Sequence, residues 1–193
     1  MNIKIRPYQP SDELSWLRCR VLAFLDTAYF DNVLKKKETY EHPSIELVAV
    51  KDNQVVGLID VEYEVEEKTV CSRGEGLGGM IWHIAVHPDY RRMGIGNQLL
   101  AEAEKLAFKK GLNRFEAWTR DDVWVSEWYV ESGFMKVEFY YHVFVDKNDQ
   151  VSLKTEGLHF IQGFAHYTGD DLEQIKSSYE RVHECRCYEK KLI

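Results

Sequence analysis

The stretch AVHPDYRRMGIGNQLL, residues Ala85 to Leu100, joins two kinds of sequence pattern. The residues leading into it, GMIWHIAVHP, read as a β-strand closed by a proline, and the residues after it carry apolar side chains at helical spacing. Between the two lies the pattern R-x-x-G-x-G, formed by Arg91, Gly94 and Gly96. A strand, a glycine turn and a helix in this order are typical of an anion site at a helix N-terminus.

Backbone N–H groups in the first turn of a helix have no partner within the helix, and the helix dipole adds roughly half a positive charge there. Glycine has no Cβ, so an anion can approach these N–H groups closely. Arg91 and Arg92 add positive charge beside them. The alternative is a glycine corner with surface arginines, but two glycines and two arginines at one junction favour the anion site.

A second glycine cluster, RGEGLGG, matches the dinucleotide fingerprint G-x-G-x-x-G through Gly74, Gly76 and Gly79. That fingerprint functions only where a helix follows at once, because the pyrophosphate lies on the helix N-terminus. Here the strand-like MIWHIAV follows. We therefore expect a hairpin loop at RGEGLGG and reject a dinucleotide-binding fold.

The first half of the chain predicts a strand at NIKIRPY and a helix capped by Ser11. The apolar stripe of this helix comprises Leu14, Leu17, Val21, Leu22 and Leu25. A poorer helix is predicted over Phe30 to Tyr40, with its three lysines in solvent. A hairpin follows, and in its second strand the carboxylates of Asp60, Glu62, Glu64 and Glu66 share one side. Such a row usually marks the water-facing side of a sheet.

In the second half, the helix after the glycine turn should end at Gly111, and RFEAWT should form a strand. Asp121 or Asp122 is the expected cap of a further helix that Gly133 terminates. KVEFYYHVFV and CRCYEKKLI are predicted as the last two strands. This order of elements describes a mixed α/β sandwich around one sheet.

Composition limits the functional class. The formal net charge of −7 argues against nucleic acid as the main partner and mildly favours a cationic one. No apolar run reaches the roughly 18–20 residues that span a bilayer, and the N-terminus lacks a signal-peptide pattern, so we expect a cytoplasmic protein without a membrane partner. Four dispersed cysteines fit a reducing compartment, and Cys185 and Cys187 are read as neighbours in a strand rather than metal ligands.

Two motifs carry a family resemblance. AVHPDYRRMGIGNQLL resembles motif A of the GNAT superfamily of N-acetyltransferases, with Arg91, Gly94 and Gly96 at its three defined positions. SEWYVESGF resembles motif B, in which a helical tyrosine, here Tyr129, stands four residues before a glycine-phenylalanine pair. The resemblance implies an α/β (α+β) fold with a mixed, mostly antiparallel sheet of six to seven strands flanked by helices on both faces. It also implies a single domain over 1–193.

The resemblance further implies that acetyl-CoA is the co-substrate. Backbone N–H groups from Arg92 to Asn97 would hold its pyrophosphate, and the strand Ile84–Val86 would diverge from its neighbour and pair with the pantetheine arm. The implied cofactor residues are Ile84, Ala85, Val86, Arg91, Arg92, Met93, Gly94, Ile95, Gly96, Asn97 and Tyr129. At the position where the family commonly has asparagine this chain has Asp122, for which capping the helix is the simpler role.

Acetyl transfer by direct attack in a ternary complex needs a neutral primary amine and a stabilised leaving thiolate. By resemblance Tyr129 is the general acid for the thiolate; the alternative is a core aromatic residue. The candidate bases are His83, on the strand that enters the site, and its competitors Glu62 and Asp60. A metal shared by His83 and His87 is rejected, because strand residues four apart are separated by roughly 13 Å.

Several questions stay open at this level. The acceptor is a small-molecule or peptide amine, and the carboxylates of Asp60, Glu62 and Glu64 favour a cation. An aromatic segment, 146–184, separates the last two strands, with a helix expected from Gly169–Asp171 through Tyr179 and Val182. It should form a wall of the acceptor site, a homodimer contact or a strap across the sheet. The main alternative to an enzyme is an acyl-CoA sensor that has lost turnover. A pure interaction protein is a less favoured alternative.

Overall fold

The structure is a computed structural model that describes residues 3–149, 151, 153 and 155–192. Within these residues eight strands and four α-helices form. The strands are β1 Lys4–Pro7, β2 Ser44–Lys51, β3 Gln54–Tyr63, β4 Gly78–Val86, β5 Arg114–Thr119, β6 Met135–Asp146, β7 Gln162–Tyr167 and β8 Arg181–Lys191. The helices are α1 Glu13–Phe24, α2 Ile95–Lys109, α3 Val123–Glu131 and α4 Leu172–Ser178. None of these helices combines the length and the apolar character needed to cross a bilayer.

All strands belong to one sheet, in the order β1-β2-β3-β4-β5-β8-β6-β7. Among the strands that the structure describes, only β4 and β5 pair in parallel, so the predicted mixed, mostly antiparallel sheet is confirmed. Helix α1 packs on one face, and α2 and α3 pack on the other, as expected. The sheet has eight strands instead of six to seven because the segment before β8 adds β7 at the edge.

Helix α1 uses a different face from the predicted one. Leu14 and Leu25 are 61% and 53% exposed, whereas Trp16, Cys19 and Ala23 are buried. Both sets have helical spacing, and the set that contains the tryptophan buries the larger side chain against the sheet. The cap also differs: Pro10–Asp12 forms a 3-10 turn, and Asp12, not Ser11, precedes the helix.

The predicted helix over Phe30 to Tyr40 does not form, and residues 25–43 run as an irregular loop that covers the α1 face of the sheet. Lys37, expected in solvent, is buried. Its ammonium group lies 2.6 Å from Glu46 and 2.8 Å from Asp60. These contacts need the irregular path, so tertiary contacts override the local helical tendency.

The predicted water-facing carboxylate row is wrong for three of its four members, whereas Glu66 is exposed beyond the end of β3. Asp60, Glu62 and Glu64 do share the α1 face, but their exposed fractions are 0%, 7% and 1%. The two loops 25–43 and 64–77 cover them and supply donors, for example the N–H of Cys71 to Glu64 at 3.0 Å. RGEGLGG lies in the second loop and leads into β4, as expected for a hairpin connection.

The segment between β6 and β8 contains β7, which pairs antiparallel with β6, and the short helix α4. Helix α4 begins directly after Asp171, as predicted, and Asp171 caps it by accepting from the N–H of Gln174. The helix ends at Ser178, and Val182 already belongs to β8. In this segment Phe160 and Tyr167 are partly buried, whereas Leu158, Ile161 and Phe164 are more than half exposed. Cys185 and Cys187 are neighbours in β8, and all four cysteines are buried free thiols.

Candidate active site

The parallel strands β4 and β5 separate partway along their length. They pair from Gly78–Ile81 to Arg114–Ala117, and β4 then continues to Val86 with no partner on that side among the described residues. A bulge at Trp82 shifts the register against β3, where Val61 pairs with Ile81 but Asp60 pairs with His83. The divergence leaves the backbone groups of Ile84, Ala85 and Val86 facing the gap available to a ligand.

The glycine turn lies at the end of this gap. Arg92 and Gly94 have φ angles of 63° and 74°, so the chain reverses tightly before α2 begins at Ile95. Within the described part of the chain, the N–H groups from Arg92 to Asn97 donate to no acceptor; the first bond of the helix runs from Gln98 to Gly94. A Cβ added to Gly94 would meet only the side-chain amide nitrogen of Gln98, at 3.8 Å. Six free N–H groups beside open space form an anion cradle.

The two arginines of the turn differ. Arg91 points back to the end of α1, where it contacts Asp26 and the carbonyl oxygen of Ala23, both at 2.9 Å. The guanidinium group of Arg91 is therefore already paired with groups of the protein. Arg92 remains exposed, as do Met93 and Asn97. The side-chain oxygen of Asn97 accepts from the indole N–H of Trp128 at 2.7 Å, which ties the turn to α3.

Tyr129 on α3 is buried, with 4% of its surface exposed. Its ring stacks on Tyr188 at 5.0 Å and meets the edge of Phe134 at 5.1 Å. No described residue makes a hydrogen bond with its hydroxyl. Burial, together with the nearby Tyr29 and Tyr188, raises the pKa of Tyr129 well above its ordinary value, so the hydroxyl keeps its proton at neutral pH. Tyr129 thus has both a packing role and a free donor.

Asp122 occupies the cap position of α3, but its carboxylate does not cap the helix. It accepts instead from the N–H of Ala28 at 3.0 Å and 3.1 Å, which holds the loop 25–43 against the C-terminal end of β5. Asp121 likewise binds elsewhere, to His183 at 2.9 Å. The expected side-chain cap is therefore wrong, because stronger tertiary partners compete for both carboxylates.

His83 lies on the α1 face just beyond the bulge and is 7% exposed. Its Nδ1 is 3.4 Å from the donor Nε of Arg20, so this nitrogen accepts, and Nε2 carries the proton that it donates to Glu38. Both ring nitrogens are therefore engaged. The hydrogen bond from His83 lowers the pKa of Glu38, although burial opposes the shift. Nothing in the sequence pattern distinguished Glu38, which stood within a predicted surface helix.

Of the other two predicted bases, Glu62 has both oxygens hydrogen-bonded and Asp60 is fully buried. Glu62 accepts from the N–H of His42 at 2.8 Å and from the indole N–H of Trp82 at 2.7 Å. Burial alone would raise the pKa of Glu62, but these bonds outweigh it and the pKa is lowered. Burial raises the pKa of Asp60 despite the nearby Lys37, and the side chain has no exposed surface.

A cavity of about 390 Å³ opens on the α1 face beside the bulge. Its lining residues are Glu38, Thr39, Tyr40, Glu41, His42, Glu62, Thr69, Val70 and Trp82. The cavity thus adjoins the point where β4 leaves β5.

In the described ranges no group of three His, Cys, Asp or Glu side chains is placed to hold a metal ion. His87 lies outside β4 and accepts from the N–H of Asp89.

Known proteins resemble this chain in sequence and in fold. An acetyltransferase of Sodalis glossinidius is 28% identical over 124 residues, which cover 63% of this chain and 78% of the relative. The PaiA N-acetyltransferase of Thermoplasma acidophilum, solved in complex with coenzyme A, has a TM-score of 0.56 at 17% identity, over 84% of this chain and 98% of that one. A GNAT acetyltransferase of Elizabethkingia anophelis with acetyl-CoA bound has a TM-score of 0.54 at 15% identity, over 99% of both chains.

At such identities the two solved structures establish the fold. The family itself follows from a sequence model of the Acetyltransferase (GNAT) family, which matches residues 10–149. That range contains the glycine turn, the diverging strands and Tyr129, so the match covers the residues that form the candidate site. The protein belongs to the GNAT family of acetyltransferases.

Proposed function

We propose that this acetyltransferase uses acetyl-CoA as its donor and transfers the acetyl group to a primary amine of a small molecule or peptide by direct attack in a ternary complex. The observation that carries the proposal is the run of free N–H groups from Arg92 to Asn97 at the end of the gap between β4 and β5. The turn supplies a phosphate site, and the gap leads from it to the opposite face of the sheet.

In this proposal the pyrophosphate lies on the N-terminus of α2 and the exposed Arg92 adds charge beside it. The pantetheine arm extends along Ile84–Val86, where its amides replace the backbone partner that β5 no longer provides. The thioester then reaches the bulge at Trp82, so the acceptor must approach from the α1 face, where the cavity opens.

The chemical step forms a C–N bond and breaks the C–S bond of the thioester. A primary amine with a pKa of ~10.4 is mostly protonated at neutral pH and must lose its proton before attack. The leaving thiolate corresponds to a thiol with a pKa of ~8.5. Because burial raises the pKa of Tyr129 well above that value, we propose that its hydroxyl stabilises the thiolate mainly as a hydrogen-bond donor.

For the proton of the amine we propose Glu38, backed by His83. Glu38 lines the cavity and is 47% exposed, and only one of its two carboxylate oxygens contacts a described residue. His83 donates to it and is itself oriented by Arg20. The earlier candidates Glu62 and Asp60 have their oxygens engaged or have no access to the cavity. His83 then serves as a positioning residue rather than as the base.

Titration calorimetry with coenzyme A tests the donor site. Gly94→Glu should abolish detectable binding, since the new carboxylate fills the open space and repels the pyrophosphate. Gly111→Glu is the matched control, because Gly111 also has a positive φ, 81°, follows the same helix, and has no atom within 4 Å of an added Cβ. Equal affinity in wild type and both variants would refute the site.

A further inference from the structure

The cavity beside Trp82 carries a negative charge. Three of its lining residues are glutamates, and the described lining contains no lysine or arginine. Both oxygens of Glu62 are occupied by donors, but Glu38 retains one free oxygen and Glu41 is exposed without a partner among the described residues. The nearest lysine along the loop, Lys37, is directed away into the protein. A cation entering the cavity would therefore meet carboxylates and no competing charge.

Trp82 presents an aromatic surface to this cavity. Half of its surface is exposed, yet its indole N–H donates to the buried carboxylate of Glu62 at 2.7 Å. The bond restricts the rotation of the ring and strengthens the negative potential behind it. The face of a tryptophan ring is the strongest cation–π acceptor among side chains. An exposed tryptophan held in place beside carboxylates is suited to a positively charged ligand.

The chain binds one of its own ammonium groups in the same way. The Lys37 nitrogen lies 5.0 Å to 5.2 Å from the ring centres of Tyr8, Trp16 and Tyr40, and it contacts Glu46 and Asp60. Tyr40 also lines the cavity, so aromatic rings and carboxylates continue from the internal ammonium site into the open one. This internal example shows that the local architecture accommodates an ammonium group.

We infer that the acceptor is a small amine with a second positive charge, such as a diamine or polyamine, whose distal ammonium group lies on Trp82 beside Glu41 while the reacting amine lies near Glu38. The inference rests on the proposed transfer reaction and specifies its substrate class. A volume of about 390 Å³ is near the lower end of the roughly 300–1,000 Å³ found for ligand pockets, which favours a small molecule over a folded protein.

The test compares 1,4-diaminobutane with butylamine, which has the same chain and no distal charge. With acetyl-CoA and thiol release as the readout, we expect kcat/KM to favour the diamine by roughly tenfold or more. Trp82→Leu and Glu41→Gln should each remove most of this preference, mainly through KM, whereas Trp82→Phe should retain part of it because the ring remains. Glu173→Gln, on the exposed side of α4, is the control and should leave the preference unchanged.

Equal kcat/KM for the two amines would overturn the inference and leave the proposed transfer reaction intact, since both would be acetylated. If the protein binds coenzyme A but acetylates neither amine, the inference is tested by titration calorimetry of 1,4-diaminobutane into the coenzyme A complex. Binding that Trp82→Leu weakens by roughly tenfold supports the inference, and no binding overturns it. Failure to bind coenzyme A at all would instead refute the proposed function.

Discussion

The ammonium group of Lys37 lies 2.8 Å from a carboxylate oxygen of Asp60, and the two side chains are 4% and 0% exposed. The pair joins the loop 25–43 to the centre of the sheet, one residue away from Glu38. Since an unpaired buried charge is costly, this contact determines where the loop lies. The wall of the proposed acceptor cavity therefore depends on a residue that does not line it.

We predict that Lys37→Met destabilises the protein by about 3–5 kcal/mol, the usual cost of leaving one member of a buried ion pair without its partner. Urea denaturation measures the change. Lys36→Met, at an exposed neighbouring position, should change the free energy of unfolding by about 0.5 kcal/mol or less. A Lys37→Met variant as stable as the control would show that Asp60 does not need this partner.

Replacement of Tyr129 by phenylalanine should lower kcat by ~10²–10³, the usual cost of losing one donor to a developing negative charge, and leave the affinity for coenzyme A nearly unchanged. The lower limit corresponds to ~2.7 kcal/mol of activation free energy. The control is Tyr188→Phe, which removes a hydroxyl from the ring stacked on Tyr129. If Tyr129→Phe turned over like wild type, Tyr129 would be a packing residue only.

The segment between β6 and β8, which contains β7 and α4, can be removed without cutting β6 or β8. Phe144 pairs with Arg181, so a short glycine-serine turn in place of 147–180 should join β6 and β8 as a hairpin. In the intact protein the ring centre of Tyr140 lies 5.2 Å from that of Trp118 and 4.5 Å from that of His166. The three rings extend an aromatic surface from β5 to β7. We propose that this surface is a wall of the acceptor site, and we expect the deletion to raise KM for the acceptor several-fold with unchanged affinity for coenzyme A.

Light scattering on the same deletion variant distinguishes the other roles of the segment. A homodimer contact predicts a lower mass for the variant than for wild type, and an external strap predicts unchanged mass and unchanged kcat/KM. Either result would count against the wall.

His142 should make stability depend on pH. Burial, aided by the charge of Arg120, lowers the pKa of His142 to about 3, and its Nδ1 accepts from Arg120 at 3.0 Å. As the pH falls below ~6.5, the unfolded chain takes up a proton that the folded protein does not, so stability is lost by up to about 1.4 kcal/mol per pH unit until the pH approaches 3. Urea denaturation from pH 7 to pH 4 should show a smaller loss for His142→Gln than for wild type. The exposed His159→Gln should behave like wild type; a His142→Gln profile parallel to wild type would disprove the assignment.

The glycine turn could be predicted because its structural requirements are local. A positive φ at Gly94, unpaired N–H groups at a helix start and a preceding strand all follow from residues adjacent in the chain. The alternation of apolar residues predicted the strands for the same reason. The side chain of Arg91 was less predictable, since its partner Asp26 is distant in sequence.

The acceptor side was determined by long-range packing. The alternation along β3 showed that Asp60, Glu62 and Glu64 share a face, but period-two alternation does not show whether loops will cover that face. Burial turned all three carboxylates, including the candidate bases Asp60 and Glu62, into fixed hydrogen-bond acceptors, with Glu62 holding Trp82 in place. Glu38 reached the site through an irregular loop that Lys37 anchors. The sequence by itself therefore determined most of the sheet and the glycine turn, which depend on neighbouring residues. Only the tertiary structure decided that Asp60, Glu62 and Glu64 are buried while Glu38 stays about half exposed, because burial and charge pairing join residues far apart in the chain.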